Sequence, residues 1–263
     1  MTEELKTYRG NCHCAAYVYE LKLPENFKPL ECNCNACYKK GALWARSDNF
    51  RWVKGDIDTL TNYTFGKGIF HHKVRTFQYG QGVDVWKIET TPIDGRSFGE
   101  PFDPPKWTGP EPTADVEGGK LYTGSCHCGA IKVAFKTKPL DKNSPEKMAE
   151  CNCSICMKHA PTWVYPKKDQ VVVEGRENFS RYYFNTKLFG KTFCKTCGIA
   201  VDNEPVPLTE EEVAKLPDQV RVFFNGAQSL HPFNLRLLNG VNVKDLNAIR
   251  SDGYNRPPLY AEP

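Results

Sequence analysis

The chain has 263 residues, 40% hydrophobic and 25% charged, which suits one large or two ordinary globular domains and excludes a disordered or fibrous polymer. Its net charge of +4 is too mild, and its basic residues too scattered, for a nucleic-acid track. No apolar run approaches the roughly 20 residues of a membrane helix, and residues 1–8 carry acidic side chains without an apolar core. The expectation is a cytoplasmic chain with no membrane partner. Twelve cysteines without a secretory signal argue for metal or redox chemistry rather than a disulfide framework.

Taken in order, the elements are short and alternate with period two. Residues 17–19, 50–53 and 83–85 predict strands in the first half, and residues 131–136, 171–175, 180–184 and 220–224 predict them in the second. The one clear helix signal is 209–216, where Thr209 stands three residues before Glu212 as a capping box. Residues 92–119 contain Pro101, Pro104, Pro105, Pro110 and Pro112 and read as an irregular connector. Phe98, Phe102 and Trp107 within it are large apolar side chains that a free linker would not favour. The pattern is mainly β, with short antiparallel sheets and few short helices. Elements this short bury little area each, so a metal staple would explain how they hold together.

The cysteines reveal a repeat. Gly10-Asn-Cys12-His13-Cys14-Ala-Ala returns as Gly124-Ser-Cys126-His127-Cys128-Gly-Ala, and Glu31-Cys32-Asn-Cys34-Asn-Ala-Cys37 returns as Glu150-Cys151-Asn-Cys153-Ser-Ile-Cys156. Trp44 and Trp163 each follow the last cysteine of the triple at the same distance. Finally, Arg75-Thr-Phe77-Gln78-Tyr-Gly-Gln81-Gly82 faces Lys191-Thr-Phe193-Cys194-Lys-Thr-Cys197-Gly198. Four ordered matches predict a duplication: a first module at 1–91, the connector at 92–119 and a second module at 120–263.

Two turns bearing Cys126/Cys128 and Cys194/Cys197 can supply four thiolates, the set of a closed structural zinc site. Cys151, Cys153 and Cys156 form a tight triple, as do Cys32, Cys34 and Cys37, and three protein ligands leave a fourth position for water or a substrate sulfur. All-sulfur ligation favours zinc, while a bridged thiolate cluster or an iron–sulfur centre fits the same count. Gln78 and Gln81 stand where the first copy would need its second pair, so no structural zinc is expected there and Cys12 and Cys14 are left without partners. Zinc is thus expected at two to three ions per chain. Alternation points His13 and His127 away from the metal. His159, three past Cys156, is a weak candidate proton donor, since Lys40 holds the equivalent place in the first copy. Tyr38, Lys39, Arg46 and Lys158 lie near the triples and could bind an anionic substrate.

Gly-Ser-Cys-His-Cys-Gly-Ala, then Cys-x-Cys-x-x-Cys, then Phe-Cys-x-x-Cys-Gly, resembles the glutathione-dependent formaldehyde-activating (GFA) family, which also includes centromere protein V. The second copy matches all three motifs; the first matches two and departs at the third. Residues 234–246 look like the family's closing strand. The resemblance implies a β-tent fold in each module. It also implies a structural zinc at Cys126, Cys128, Cys194 and Cys197 and a catalytic-type zinc at Cys151, Cys153 and Cys156. The implied activity is carbon–sulfur lyase chemistry on glutathione or another small thiol adduct of a carbonyl compound. The alternative is a non-catalytic, zinc-stabilised module that docks a protein partner.

Overall fold

The computed structural model describes residues 4–64, 72–98 and 101–263. It is mainly β, with several small sheets and four short helices among the described residues. The chain divides into two compact units. One is built from Met1–Phe102, Cys151–Ala160 and Asp252–Pro263, the other from Asp103–Glu150 and Pro161–Ser251.

In the first unit, β1 (Leu5–Asn11), β2 (Val18–Pro24) and β5 (Phe50–Lys54) form an antiparallel sheet in the order β1-β2-β5. Alternate residues of β1 and β2 point inward, as period two requires. Tyr8, Tyr19, Leu21 and Leu23 are buried with Leu43, Ala45, Val74 and Phe77 in one cluster. A second sheet carries the cysteine triple: β3 (Leu30–Cys32), β4 (Trp44–Ala45), β6 (His72–Lys73) and β7 (Thr91–Ile93), in the order β6-β4-β3-β7. Its β3–β7 pair is parallel, with Cys32 opposite Ile93. Helix α1 (Asn35–Lys40) follows β3, and helix α2 (Ser154–His159) belongs to the same unit.

In the second unit, β8 (Lys120–Ser125) and β9 (Lys132–Thr137) are joined by β12 (Val171–Glu174) in the order β12-β9-β8. The larger sheet takes β10 (Met148–Cys151), β11 (Trp163–Val164), β13 (Phe179–Tyr183), β14 (Phe189–Cys194), β15 (Ala200–Pro205), β16 (Phe233–Asn234) and β17 (Ile249–Ser251). Their order is β13-β14-β15-β16-β11-β10-β17. Ile131, Val133, Phe135, Ile199, Val201, Phe233, Leu235 and Leu237 are buried, and the Phe135 and Phe233 rings meet edge to face at 5.2 Å.

Several expected elements differ. Helix α3 (Glu210–Ala214) starts at the anticipated capping box, with Thr209 N–H donating to Glu212 at 2.8 Å and Glu212 N–H to Thr209 at 3.3 Å. Residues 220–224, expected as a strand, belong instead to helix α4 (Asp218–Ala227). Pro217 precedes its first turn, and Arg221 ties that turn down by bonding Asp218, Ala214 O and Leu216 O. This local wiring overrides the β-preference of the Val-Arg-Val-Phe-Phe run. Residues 83 and 84 are irregular and a turn begins at residue 85, so no strand forms there. The stretch 234–246, expected as a closing strand, leaves the extended state after Asn234. Asn234 and Asn242 each accept a backbone N–H two residues on and nucleate short 3₁₀ turns. Phe98 is exposed at 67% rather than packed.

Candidate functional site

Both cysteine triples are built alike. A short strand ends at the first cysteine (Cys32, Cys151) and the second (Cys34, Cys153) is the helix N-cap. The third (Cys37, Cys156) then lies in the first helical turn. The N-cap dihedrals nearly coincide, at φ −61°, ψ 156° for Cys34 and φ −62°, ψ 158° for Cys153. Both helices end left-handed, at Gly41 and at Ala160, each with φ 53°. Within each triple the sulfurs lie within 4.8 Å of one another. Backbone N–H groups of Cys34 and Cys153 point at the sulfurs of Cys32 and Cys151 at 3.5 and 3.4 Å, and Trp44 Nε1–H points at Cys37 Sγ at 3.3 Å. Sharing with Cys37 pushes the Cys34 thiol down to about 5, while the same contact pushes Cys37 up. Helices of six residues framed by turns escape periodicity, which explains why α1 and α2 were not expected.

A loop closes over each triple. Asn33 Nδ2 donates to Asp94 at 2.7 Å and its carbonyl and side-chain oxygens accept from Arg96 at 3.0 and 3.1 Å. In the matching place Asn152 donates to Asp252 at 3.0 Å and accepts the N–H groups of Gly253 and Tyr254 at 2.7 and 2.9 Å. The glycines are required sterically: a methyl at Gly95 would strike Cys32 Sγ, and one at Gly253 would strike Cys151 Sγ and Cys153 Cβ. Sequence reasoning missed these loops. The signal was the Asp-Gly dipeptide after each short strand, two residues that alone are too common to notice.

The second triple has a further polar collar within the first unit. The Tyr79 hydroxyl donates to Asn152 O, and its ring packs on Tyr254 at 3.9 Å. His13 Nε2 shares a hydrogen bond with Ser154 Oγ at 2.9 Å and stacks on Tyr260 at 4.5 Å. Burial, then the nearby Lys158 charge, pulls His13 down to about 4, so it is neutral near pH 7. Tyr260 O–H donates to His13 O at 2.8 Å and accepts from Asn11 at 2.9 Å. Lys158 Nζ donates to Thr76 O at 3.3 Å and Lys73 Nζ to Lys158 O at 2.7 Å. Lys39 and Lys158 are buried, at 2% and 5% exposure, which corrects the expectation that they meet an anionic substrate. Arg46 is exposed and Tyr38 half-buried. His159 ends α2, half-buried, one residue past Lys158.

The second unit holds the four-sulfur group. Cys126, Cys128, Cys194 and Cys197 cluster within 4.8 Å, with Cys126···Cys128 and Cys128···Cys194 both at 3.5 Å. Two matched hairpin turns present them. Cys126 N–H bonds Ile131 O and Cys194 N–H bonds Ile199 O, both at 2.9 Å, and each turn passes through a left-handed glycine, Gly129 or Gly198. Cys126, Cys194 and Cys197 are buried and Cys128 is exposed, and four thiolates gathered this closely would repel one another without a cation between them. The donor set therefore fits a thiophilic metal. No described helix is long and apolar enough to cross a membrane.

A crystal structure of a Rhodobacter sphaeroides protein is 24% identical, covers 49% of this chain and 97% of that one, and superposes with a TM-score of 0.35. Residues 121–217 match the family model of the glutathione-dependent formaldehyde-activating enzyme, a span that contains Cys126, Cys128, the 151–156 triple, Cys194 and Cys197. Over those residues, and through those seven cysteines, the chain is similar to the GFA family, whose members are associated with glutathione-related enzymatic activity.

Proposed function

We propose that the chain is a zinc-dependent carbon–sulfur lyase-type enzyme acting on the adduct of a carbonyl compound with glutathione or another small thiol. One observation carries this reading. Each triple gathers three sulfurs that no fourth His, Cys, Asp or Glu atom joins among the described residues, whereas the Cys126 group is complete with four. Three ligands leave room for a substrate atom; four do not. In this reading Cys126, Cys128, Cys194 and Cys197 hold a structural zinc, and Cys151, Cys153 and Cys156, with Cys32, Cys34 and Cys37, hold catalytic-type zinc. A zinc ion so held supplies a Lewis acid that keeps a thiol as thiolate and polarises a carbonyl.

The chain's own residues shape the rest. The Asn152 amide holds the 252–254 loop against the sulfurs, and the Tyr79 hydroxyl fixes the Asn152 carbonyl between the first two ligands. His13 anchors the first turn of α2 through Ser154. The buried Lys158 ammonium is held by Thr76 O and lies near the Glu262 carboxylate, so it braces α2 rather than reaching solvent. His159 is the candidate to return a proton to the leaving group, with Arg46 and Tyr38 available to an anionic thiol at the first triple.

Metal analysis of the purified chain tests this: three ions per chain are expected when both triples load, and Cys153→Ser abolishes adduct cleavage. Metal confined to the Cys126 group, or unchanged cleavage by Cys153→Ser, overturns it. The rival reading, a zinc-stabilised docking module, has one observation in its favour: Val222 and Phe223 on α4 are exposed at 73% and 67%. A rise in melting temperature with glutathione or its adduct favours the enzyme; no shift favours the docking module.

A further inference from the structure

Cys12 and Cys14 lie outside every group that could hold a metal among the described residues. Their sulfurs nevertheless face each other at 3.4 Å, already in contact. The turn that sets them is the same kind that presents Cys126 and Cys128. Cys12 N–H bonds Tyr17 O at 3.1 Å, Ala15 N–H bonds Cys12 O at 3.0 Å, and Tyr17 N–H points at Cys12 Sγ at 3.3 Å. Ala15 is left-handed, φ 58°, at the position that Gly129 fills with φ 79° in the second half. An L side chain in that region is unfavourable, so the surrounding turn holds the two thiols together against local preference. Accessibility differs between the two: Cys14 is exposed and Cys12 half-buried, whereas Cys126 is buried among three further sulfurs.

We propose that Cys12 and Cys14 form a dithiol site that small-molecule disulfides oxidise. The exposed Cys14 thiolate attacks one sulfur of the reagent RS–SR; that S–S bond breaks and RS⁻ leaves, giving a mixed disulfide on Cys14. Cys12 then loses its proton to solvent and attacks the Cys14 sulfur. The mixed bond breaks, a second RS⁻ leaves, and the Cys12–Cys14 bond forms. The protein gives up two electrons and two protons, and the reagent is reduced to two thiols. Closing the bond shortens the sulfur separation from 3.4 Å to about 2.0 Å, a small displacement for a turn already posed this way. Burial holds the Cys12 thiol above its ordinary value, which matches its part as the second, resolving sulfur. The site is independent of the lyase reading, because neither cysteine belongs to a triple.

The test uses the full, metal-loaded chain equilibrated across ratios of oxidised to reduced glutathione, quenched, alkylated and cleaved with trypsin. Arg9 and Lys22 release residues 10–22, a peptide whose only cysteines are Cys12 and Cys14. The expected product is that peptide two hydrogens lighter and unalkylated as the oxidised fraction rises, with the zinc count unchanged. Cys12→Ser is expected to accumulate glutathione on Cys14 instead. Full alkylation of both cysteines at every ratio overturns the proposal. So does a mixed disulfide that never resolves in the unsubstituted chain, or protection that coincides with an additional metal ion.

Discussion

Gln78 and Gln81 in the first unit occupy the sequence places of Cys194 and Cys197 in the second, and the two pairs solve the same local problem differently. In the second unit the pair turns sulfur toward Cys126 and Cys128. In the first, Arg9 N–H donates to Gln81 Oε1 at 2.6 Å and the Gln81 amide returns a bond to Arg9 O at 2.7 Å, so the side chain mimics a strand partner for β1. Gln81 also bonds Gln78 O at 2.9 Å, and Gln78 N–H bonds Arg9 O at 2.9 Å. The lesson is that a hairpin can be tied to its neighbour by a carboxamide where its counterpart gathers four sulfurs that could share a metal ion. The two ties differ in strength, and the carboxamide tie frees the original thiols. Between the glutamines, Tyr79 bonds Asn152 O.

The comparison breaks most dramatically at the metal tie. Cys194→Ser leaves Cys126, Cys128 and Cys197 without a closed shell, and the structural zinc proposed for them would be worth about 10 kcal/mol or more, as much as a domain's whole stability. The second unit is expected to lose its cooperative melt and one metal ion per chain, read by circular dichroism and metal analysis. A retained transition would mean that packing alone holds these strands. Next in size is Gly253→Ala. Its methyl cannot coexist with Cys151 Sγ, so a cost of about 1–3 kcal/mol and loss of one metal ion and of adduct cleavage are expected. Unchanged metal content would show that the 252–254 loop does not rest on the triple. The smallest effect belongs to the carboxamide tie. Gln81→Ala removes the bonds to Arg9 at a half-exposed site and is expected to cost about 1 kcal/mol, a few degrees in melting temperature, with metal content intact. A loss of metal in this variant would place the glutamines in the metal chemistry after all.

How much of this was legible in the sequence depends on range. The cysteine pairs and triples were, because residues on one turn are close by covalent geometry and their spacing survives folding unchanged, and the four-sulfur group needed only two such pairs to meet. The mainly β fold was, because Lys132–Thr137 and Val171–Glu174 alternate cleanly. Helix α4 was not, because Val222 and Phe223 look like strand residues and only the Pro217 start and the Arg221 contacts reveal a helix. The collar of the second triple was not either. Tyr79 and Asn152 are 73 residues apart, and His13 and Ser154 are 141 apart, so no local pattern announces them. Buried Lys39 and Lys158 escape sequence reasoning for a related reason: a lysine can be drawn inside by a distant backbone acceptor, as Lys158 is by Thr76 O, which composition rules do not foresee.

The make-up of the first unit sets an order of events during synthesis. Its Asn11 donates to Tyr260, a contact that spans 249 residues, and Asp252–Pro263 supplies the loop over Cys151. The first strands emerge from the ribosome long before the segments that complete their unit, so that unit is completed, with Cys12 and Cys14 already made, only once residues 252–263 have been synthesised. Contacts this distant slow folding, because the closure entropy of the loop must be met before the contact rewards it. A ribosome stalled before residue 252 would hold every cysteine of the chain and still lack the loop over the second triple.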